Sequence, residues 1–186
     1  YSGNVNLDAK RDDFVWCACW AHGRRMFEPI RDGGDDFATK IMRIIRNLFL
    51  YERVAWNRSP EERLRIRRDL EKDLVDKMYA MFKKHIHEGK LVPQDALYKA
   101  IAYMQNHERN FRAYLDDPNI RMDNNPAERA LRKIVLGRKN WLFIGSDRAG
   151  KSAARLISLI QTCRAMKIDP YAYLKDVFTR LSDHPA

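Results

Sequence analysis

The chain has 186 residues, 45% of them hydrophobic and 32% charged, with a formal net charge of +10. That length suits one ordinary domain or two small subdomains with a well-solvated surface. No apolar run approaches the ~20 residues that a membrane-spanning helix needs, and the polar start Tyr1-Ser2-Gly3-Asn4 lacks the pattern of a signal peptide. Three cysteines, an odd count, argue against a secreted disulfide framework and for a reducing cytoplasm. Tyr1 is not an initiator Met, so the chain reads as a fragment or a processed product.

Residues 1–13 read as irregular and polar. Phe14-Val15-Trp16-Cys17-Ala18-Cys19-Trp20 is a continuous apolar run that reads as a buried strand. A short helix follows, from about Ala21 to Ile30, and Asp32-Gly33-Gly34-Asp35 ends it. Residues 36–57 carry apolar side chains at helical spacing. Ser59-Pro60-Glu61-Glu62 is a strong helix start, with Ser at the N-cap and Pro at the first position, and the helix reaches about His87. A third long helix spans about Gln94 to Leu115. Three amphipathic helices with short connections predict an antiparallel bundle. Asn125-Pro126 opens another helix to about Leu136, Asn140–Ile144 reads as extended, and two helices, from about Asp147 and from Pro170, close the chain.

Charge is unevenly spread. Residues 60–90 hold nine Lys/Arg and seven Asp/Glu, the pattern of a salt-bridged solvated helix face. Residues 121–155 hold nine Lys/Arg against three Asp/Glu, the pattern of a surface for a polyanion, of which nucleic acid is the commonest.

Four constellations carry chemical meaning. Glu128 fits a capping box, with Asn125 at the N-cap and Glu128 three residues on. It equally suits a carboxylate ligand for a hard divalent ion, with Arg129, Arg132, Lys133, Arg138 and Lys139 following to neutralise phosphates. Gly145-Ser146-Asp147-Arg148-Ala149-Gly150-Lys151-Ser152 is a literal P-loop string. A P-loop fold needs a later strand carrying an Mg²⁺-linked Asp, whereas the 34 residues after Ser152 read as two helices. The bland reading makes Ser146 or Asp147 a helix cap, with Arg148, Lys151 and Arg155 facing DNA. Cys17, Cys19 and His22 resemble part of a zinc site, but no second ligand pair is evident and buried cysteines account for them. Arg24-Arg25, Arg138-Lys139 and Trp141 combine cations with an aromatic, as phosphate and base contacts do; Trp141 also suits a core position.

Cys19-Trp20-Ala21-His22-Gly23-Arg24-Arg25-Met26-Phe27, Asp123–Arg132, and Gly137-Arg138-Lys139-Asn140-Trp141-Leu142-Phe143 with Gly145-Ser146 resemble, in order, motifs of the insertion-sequence 66 family of bacterial transposases. The resemblance covers nearly the whole chain and is weakest over residues 35–90. It implies an RNase H-like core using an Asp-Asp-Glu triad and two Mg²⁺ or Mn²⁺ ions. Glu128 matches the third carboxylate, the catalytic and metal-ligating one. The two aspartates would lie upstream of Tyr1, and Asp8, Asp12 and Asp13 match neither.

The expected fold is therefore mainly α: the C-terminal fragment of an RNase H-like α/β core, with one or two short strands and an inserted antiparallel helical bundle. Residues 1–34 would end the core, 35–117 form the insertion, and 118–186 carry the Glu128 helix and basic block. The expected partner is DNA, with homo-oligomers assembling on it, and the contacts are Arg24, Arg25, Arg129, Arg132, Lys133, Arg138, Lys139, Arg148 and Lys151. Metal-dependent phosphodiester cleavage and strand transfer would need the full-length parent. A non-enzymatic helical nucleic-acid-binding module and a P-loop nucleotide-binding protein are the alternatives.

Overall fold

A computed structural model describes residues 16–89, 91–141 and 145–181, and for residues 133, 134 and 138–141 the backbone only. The described chain is mainly helical and holds no strand. It divides into two compact units, Tyr1–Asn124 and Asn125–Ala186.

In the first unit, helix α1 is Trp20–Asp32, α2 is Asp36–Ala55 and α3 is Pro60–Ile66. A π-turn, Arg67–Glu71, joins α3 to α4, Lys72–His87. Helix α5 is Ala96–Asn106 and α6 is Glu108–Arg112, which runs into a 3₁₀ turn at Ala113–Leu115. Local chemistry sets the starts. The Asp35 carboxylate accepts from the Ala38 amide at 2.6 Å, and Ser59 and Glu62 form a reciprocal capping box with Pro60 behind it.

The apolar stripes of α1, α2, α4 and α5 close one core, with Trp20, Phe27, Ile41, Ile45, Leu48, Met78, Phe82, Ile101 and Phe111 fully buried. Each such side chain contributes roughly 1.5–3 kcal/mol by leaving water. Helix α1 thus shares its core with the helices of the expected insertion.

The strand expected over residues 14–20 is not formed in its described part. Residues 16–19 have no regular pattern and Trp20 already opens α1. A strand needs a neighbouring strand for its amides. Here Ala18 donates to the Asn110 carbonyl at 3.0 Å and Trp20 to Met122 at 2.9 Å, while Asn110 donates from its side chain to the Trp16 carbonyl at 2.9 Å.

The third long helix is broken at His107, which leaves the helical region (φ −117°, ψ 23°) and sets its ring edge-on to Trp16 and Tyr103. Asn106 and His107 are poor helix formers, so the break costs little.

The second unit comprises α7, Asn125–Trp141, α8, Asp147–Ala165, and α9, Pro170–Arg180. Helix α7 overruns the expected end at Leu136, so Asn140 and Trp141 are helical rather than extended; residues 142–144 lie outside the described residues. Helix α8 stops in a Schellman motif: Lys167 is left-handed (φ 59°) and Ile168 donates to the Cys163 carbonyl at 2.8 Å. Asp169 then caps α9 through the Tyr171 amide.

Candidate catalytic and nucleic-acid site

Two of the sequence motifs meet in the first unit. The Cys19 thiol sulfur accepts from the Asn124 amide at 3.4 Å. Next to it, the buried Trp20 indole donates to the Phe111 carbonyl at 2.9 Å and lies edge-on to Phe111 and Tyr114. Gly23 allows the close approach of α1: a Cβ there would stand 3.3 Å from the Phe111 ring. Cys17 and Cys19 are half-buried rather than core residues.

The segment leading into Asp123 is held from the other side by two arginines. Arg67 is fully buried and uses all of its donors. Its Nε and Nη2 meet the two Glu52 oxygens at 2.7 and 2.8 Å, and its remaining hydrogens go to the carbonyls of Tyr114, Asp117 and Ile120. Arg63 donates to the Pro118 carbonyl at 2.6 Å and to Ala55.

The Tyr114 hydroxyl donates to the buried Glu71 at 2.8 Å. Burial, and next the Glu52 carboxylate, push the Glu71 carboxyl up to about 8, against the opposing pull of Tyr114 and Arg67. Glu71 is therefore mainly neutral at pH 7, and the Arg67 charge faces Glu52.

Residues 60–90 were expected to form a solvated face, yet Arg63, Arg67 and Glu71 lie inside. Their spacing is the missed signal. Positions 63, 67, 71 and 75 recur every four residues, a drift of about 40° per step on an ideal helix. The π-turn, with its wider turn, absorbs that drift and keeps all four positions facing inward.

Glu128 lies in the second unit, in the first turn of α7 and half-buried. The helix opens at Asn125, one residue earlier than expected, so Glu128 takes the fourth helical position instead of the third that a capping box uses. Arg129 and Arg132 are exposed on the same helix. The side chains of Lys133, Arg138, Lys139 and Trp141 lie outside the described residues. Among the described residues, no three His, Cys, Asp or Glu side chains converge as a metal cluster.

The P-loop string does not build a phosphate cradle. Gly145 is left-handed (φ 79°) and the Ser146 hydroxyl accepts from the Ala149 amide, so α8 starts inside the string. Gly150 already donates to the Ser146 carbonyl at 2.9 Å, and Lys151 and Ser152 lie within the helix. A P-loop instead turns its amides toward the nucleotide. Arg148, Lys151 and Arg155 are exposed on this helix.

Of the expected DNA contacts in the first unit, Arg24 is paired with Glu28 at 3.0 Å and lines a cleft of about 860 Å³. Arg25 is exposed and does not line it. Arg121, Met122 and Asp123 also line the cleft, so both motifs border it. Among the described residues, no helix is long and apolar enough to cross a membrane.

Comparison with known proteins assigns the chain. The Transposase IS66 family matches residues 1–152, and the IS66 C-terminal element matches residues 158–186. Uncharacterized protein y4hP of Sinorhizobium fredii (strain NBRC 101917 / NGR234) is 36% identical over 180 residues, covering 90% of this chain and 32% of that protein. Uncharacterized protein y4jD of the same strain is 33% identical over 164 residues, 88% of this chain and 32% of that protein. The chain thus spans about a third of the length of the curated relatives it matches. No solved structure matches it. With both family matches in chain order, together spanning nearly every residue from 1 to 186, the chain belongs to the IS66 family of transposases.

Proposed function

We propose that this chain supplies the third carboxylate and much of the DNA-contacting surface of a transposase that cleaves phosphodiesters and transfers strands with divalent metal. The observation that carries the reading is Glu128 in the first turn of α7, followed by exposed Arg129 and Arg132, within a chain of this family. A carboxylate is the hard oxygen donor that Mg²⁺ or Mn²⁺ takes, and its position near the fixed start of a helix limits its motion. Two such ions, when bound, stabilise the attacking and leaving oxygens of an in-line displacement.

The protein's own part is positioning and charge. Arg129, Arg132 and Lys133 on α7, Arg138 and Lys139 at its end, and Arg148 and Lys151 on α8 would neutralise and orient backbone phosphates, as Arg24 and Arg25 would on α1. The RNase H-like core, the two aspartates and assembly into oligomers on DNA belong to the full-length protein in this reading.

Glu128→Gln in the full-length parent should abolish strand cleavage and leave duplex binding intact. The isolated chain, holding one carboxylate of three, should not cut DNA in Mg²⁺ or Mn²⁺. Full cleavage by the Gln variant, or cleavage by the chain alone, would refute the assignment.

A further inference from the structure

The cleft of the first unit has a composition that its fold does not require. Six arginines line it: Arg24, Arg31, Arg43, Arg46, Arg53 and Arg121. Three carboxylates share the lining, Glu28, Glu52 and Asp123; Arg24 engages Glu28 and the buried Arg67 engages Glu52. Among the described residues, Arg43, Arg46, Arg53 and Arg121 have no carboxylate within ion-pair distance.

Helix α2 sets the array. Arg43, Arg46 and Arg53 recur at intervals of three and seven, which places them along one face, and all three are exposed. From Lys40 to Arg53 the helix has no exposed carboxylate, because Glu52 is buried. A solvated face ordinarily mixes both signs, as α4 does with Lys72–Asp76 at 2.7 Å. Like charges three or four residues apart destabilise a helix. An array kept unmixed is therefore suited to an outside anion.

The array is also extended. Ten residues of helix place Arg43 and Arg53 about 15 Å apart, about four nucleotide steps along one strand of duplex DNA. At one end Arg121 lies over the Trp56 ring at 4.2 Å, and Trp56 is tied to Glu52 through its indole nitrogen at 3.0 Å. Guanidinium groups meet phosphate oxygens in a fork and remain charged at every working pH.

We propose that this arginine cleft grips the phosphodiester backbone of DNA, as a contact carried by the first unit without Glu128 or the basic block of the second. It rests on the reading that the chain engages DNA. It adds Arg31, Arg43, Arg46, Arg53 and Arg121 to the residues that do so.

The test is fluorescence anisotropy of the whole chain with a labelled 30-bp duplex of arbitrary sequence across a salt series. Removing three phosphate contacts with Arg43→Gln/Arg46→Gln/Arg53→Gln should make the slope of log Kd against log salt shallower by roughly 2–3 and weaken binding at least about tenfold. A control triple, Arg65→Gln/Arg68→Gln/Lys83→Gln, removes equal charge at exposed positions that do not line the cleft and should change binding less than about threefold. Circular dichroism melting monitors folding. If the triple melts early, the single Arg46→Glu substitution takes its place, expected to weaken binding more than Arg65→Glu does. Equal losses from cleft and control variants would mean bulk charge alone and overturn the proposal. So would unchanged binding in the cleft variants, with the wider DNA reading intact. No binding by the unmodified chain at any salt would overturn both.

Discussion

The two units are built from helices of similar length and amphipathic pattern, but they bury them differently. In the first, apolar side chains from α1 to the 3₁₀ turn close a shared core, and even Glu52, Arg63 and Arg67 are drawn in and hydrogen-bonded. In the second, among the described residues, Cys163 is the one buried side chain, while Leu131, Val135, Leu136, Leu156, Leu159 and Phe178 are all exposed. Helices α8 and α9 nevertheless have good starts at Ser146 and Asp169, and α8 a good stop at Lys167. The contrast separates two things a sequence encodes. Caps and periodicity specify where a helix runs, but most helical stability comes from what its apolar face meets. Apolar faces left in water mark surfaces built to be covered.

The sharpest way to break this contrast is to open the first core at Arg67. Arg67→Ala strands the Glu52 carboxylate and three backbone carbonyls in a buried site, and should cost ~3–5 kcal/mol. Urea denaturation measures it; a loss below about 1 kcal/mol would show the network to be dispensable.

Glu71 provides a pH-dependent test of the same network. The folded protein holds its proton up to about 8, whereas the unfolded chain releases it near 4.5. Between those values the unfolded state binds fewer protons, so stability falls as pH rises, by up to about 1.4 kcal/mol per unit, and levels off above the folded value. The full benefit is thus present below 4.5 and gone above about 8. Glu71→Gln keeps the shape without the proton and should flatten melting temperature across that window. Superimposable pH profiles for the variant and the unmodified chain would rule the account out.

The smallest effect lies in the second unit. Leu159→Ala removes a side chain 40% exposed and should shift stability by no more than about 0.5 kcal/mol. The same substitution at the fully buried Leu48 should cost about 2–5 kcal/mol. Comparable losses at the two positions would erase the distinction between the units.

Much of this architecture is legible from residue order. The helices from Asp36, Pro60, Asp147 and Pro170 start within a residue or so of their capping signals, because a cap is a local hydrogen bond. What escaped depends on distant partners. Trp16–Trp20 has strand composition, but its Ala18 and Trp20 amides go to the distant carbonyls of Asn110 and Met122. Arg63, Arg67 and Glu71 look like surface charge until Glu52 and the carbonyls after Tyr114 surround them.

The same holds for the site. Glu128 and its neighbours stand out as a motif, and so does Cys19–Phe27, yet nothing in the order of residues brings Cys19 to Asn124. The arginines of α2 are harder to see in the residue order, because the apolar stripe dominates that helix and the opposite face carries a second pattern.

The π-turn at Arg67–Glu71 also bears on how this segment tolerates changes in length. It accommodates one residue more than an α-helical path between the same two ends would use. Deleting one residue from within the turn would let an unbroken α-helix span the same two ends, and the parts before and after it would keep nearly the same faces. Arg63 and Val75 would then stand eleven residues apart, about 20° out of phase on an ideal helix, and would still face the core together. An added codon, by contrast, would rotate the part before the turn by about 100° relative to the part after it, and would act on this segment much as a frameshift acts on a reading frame.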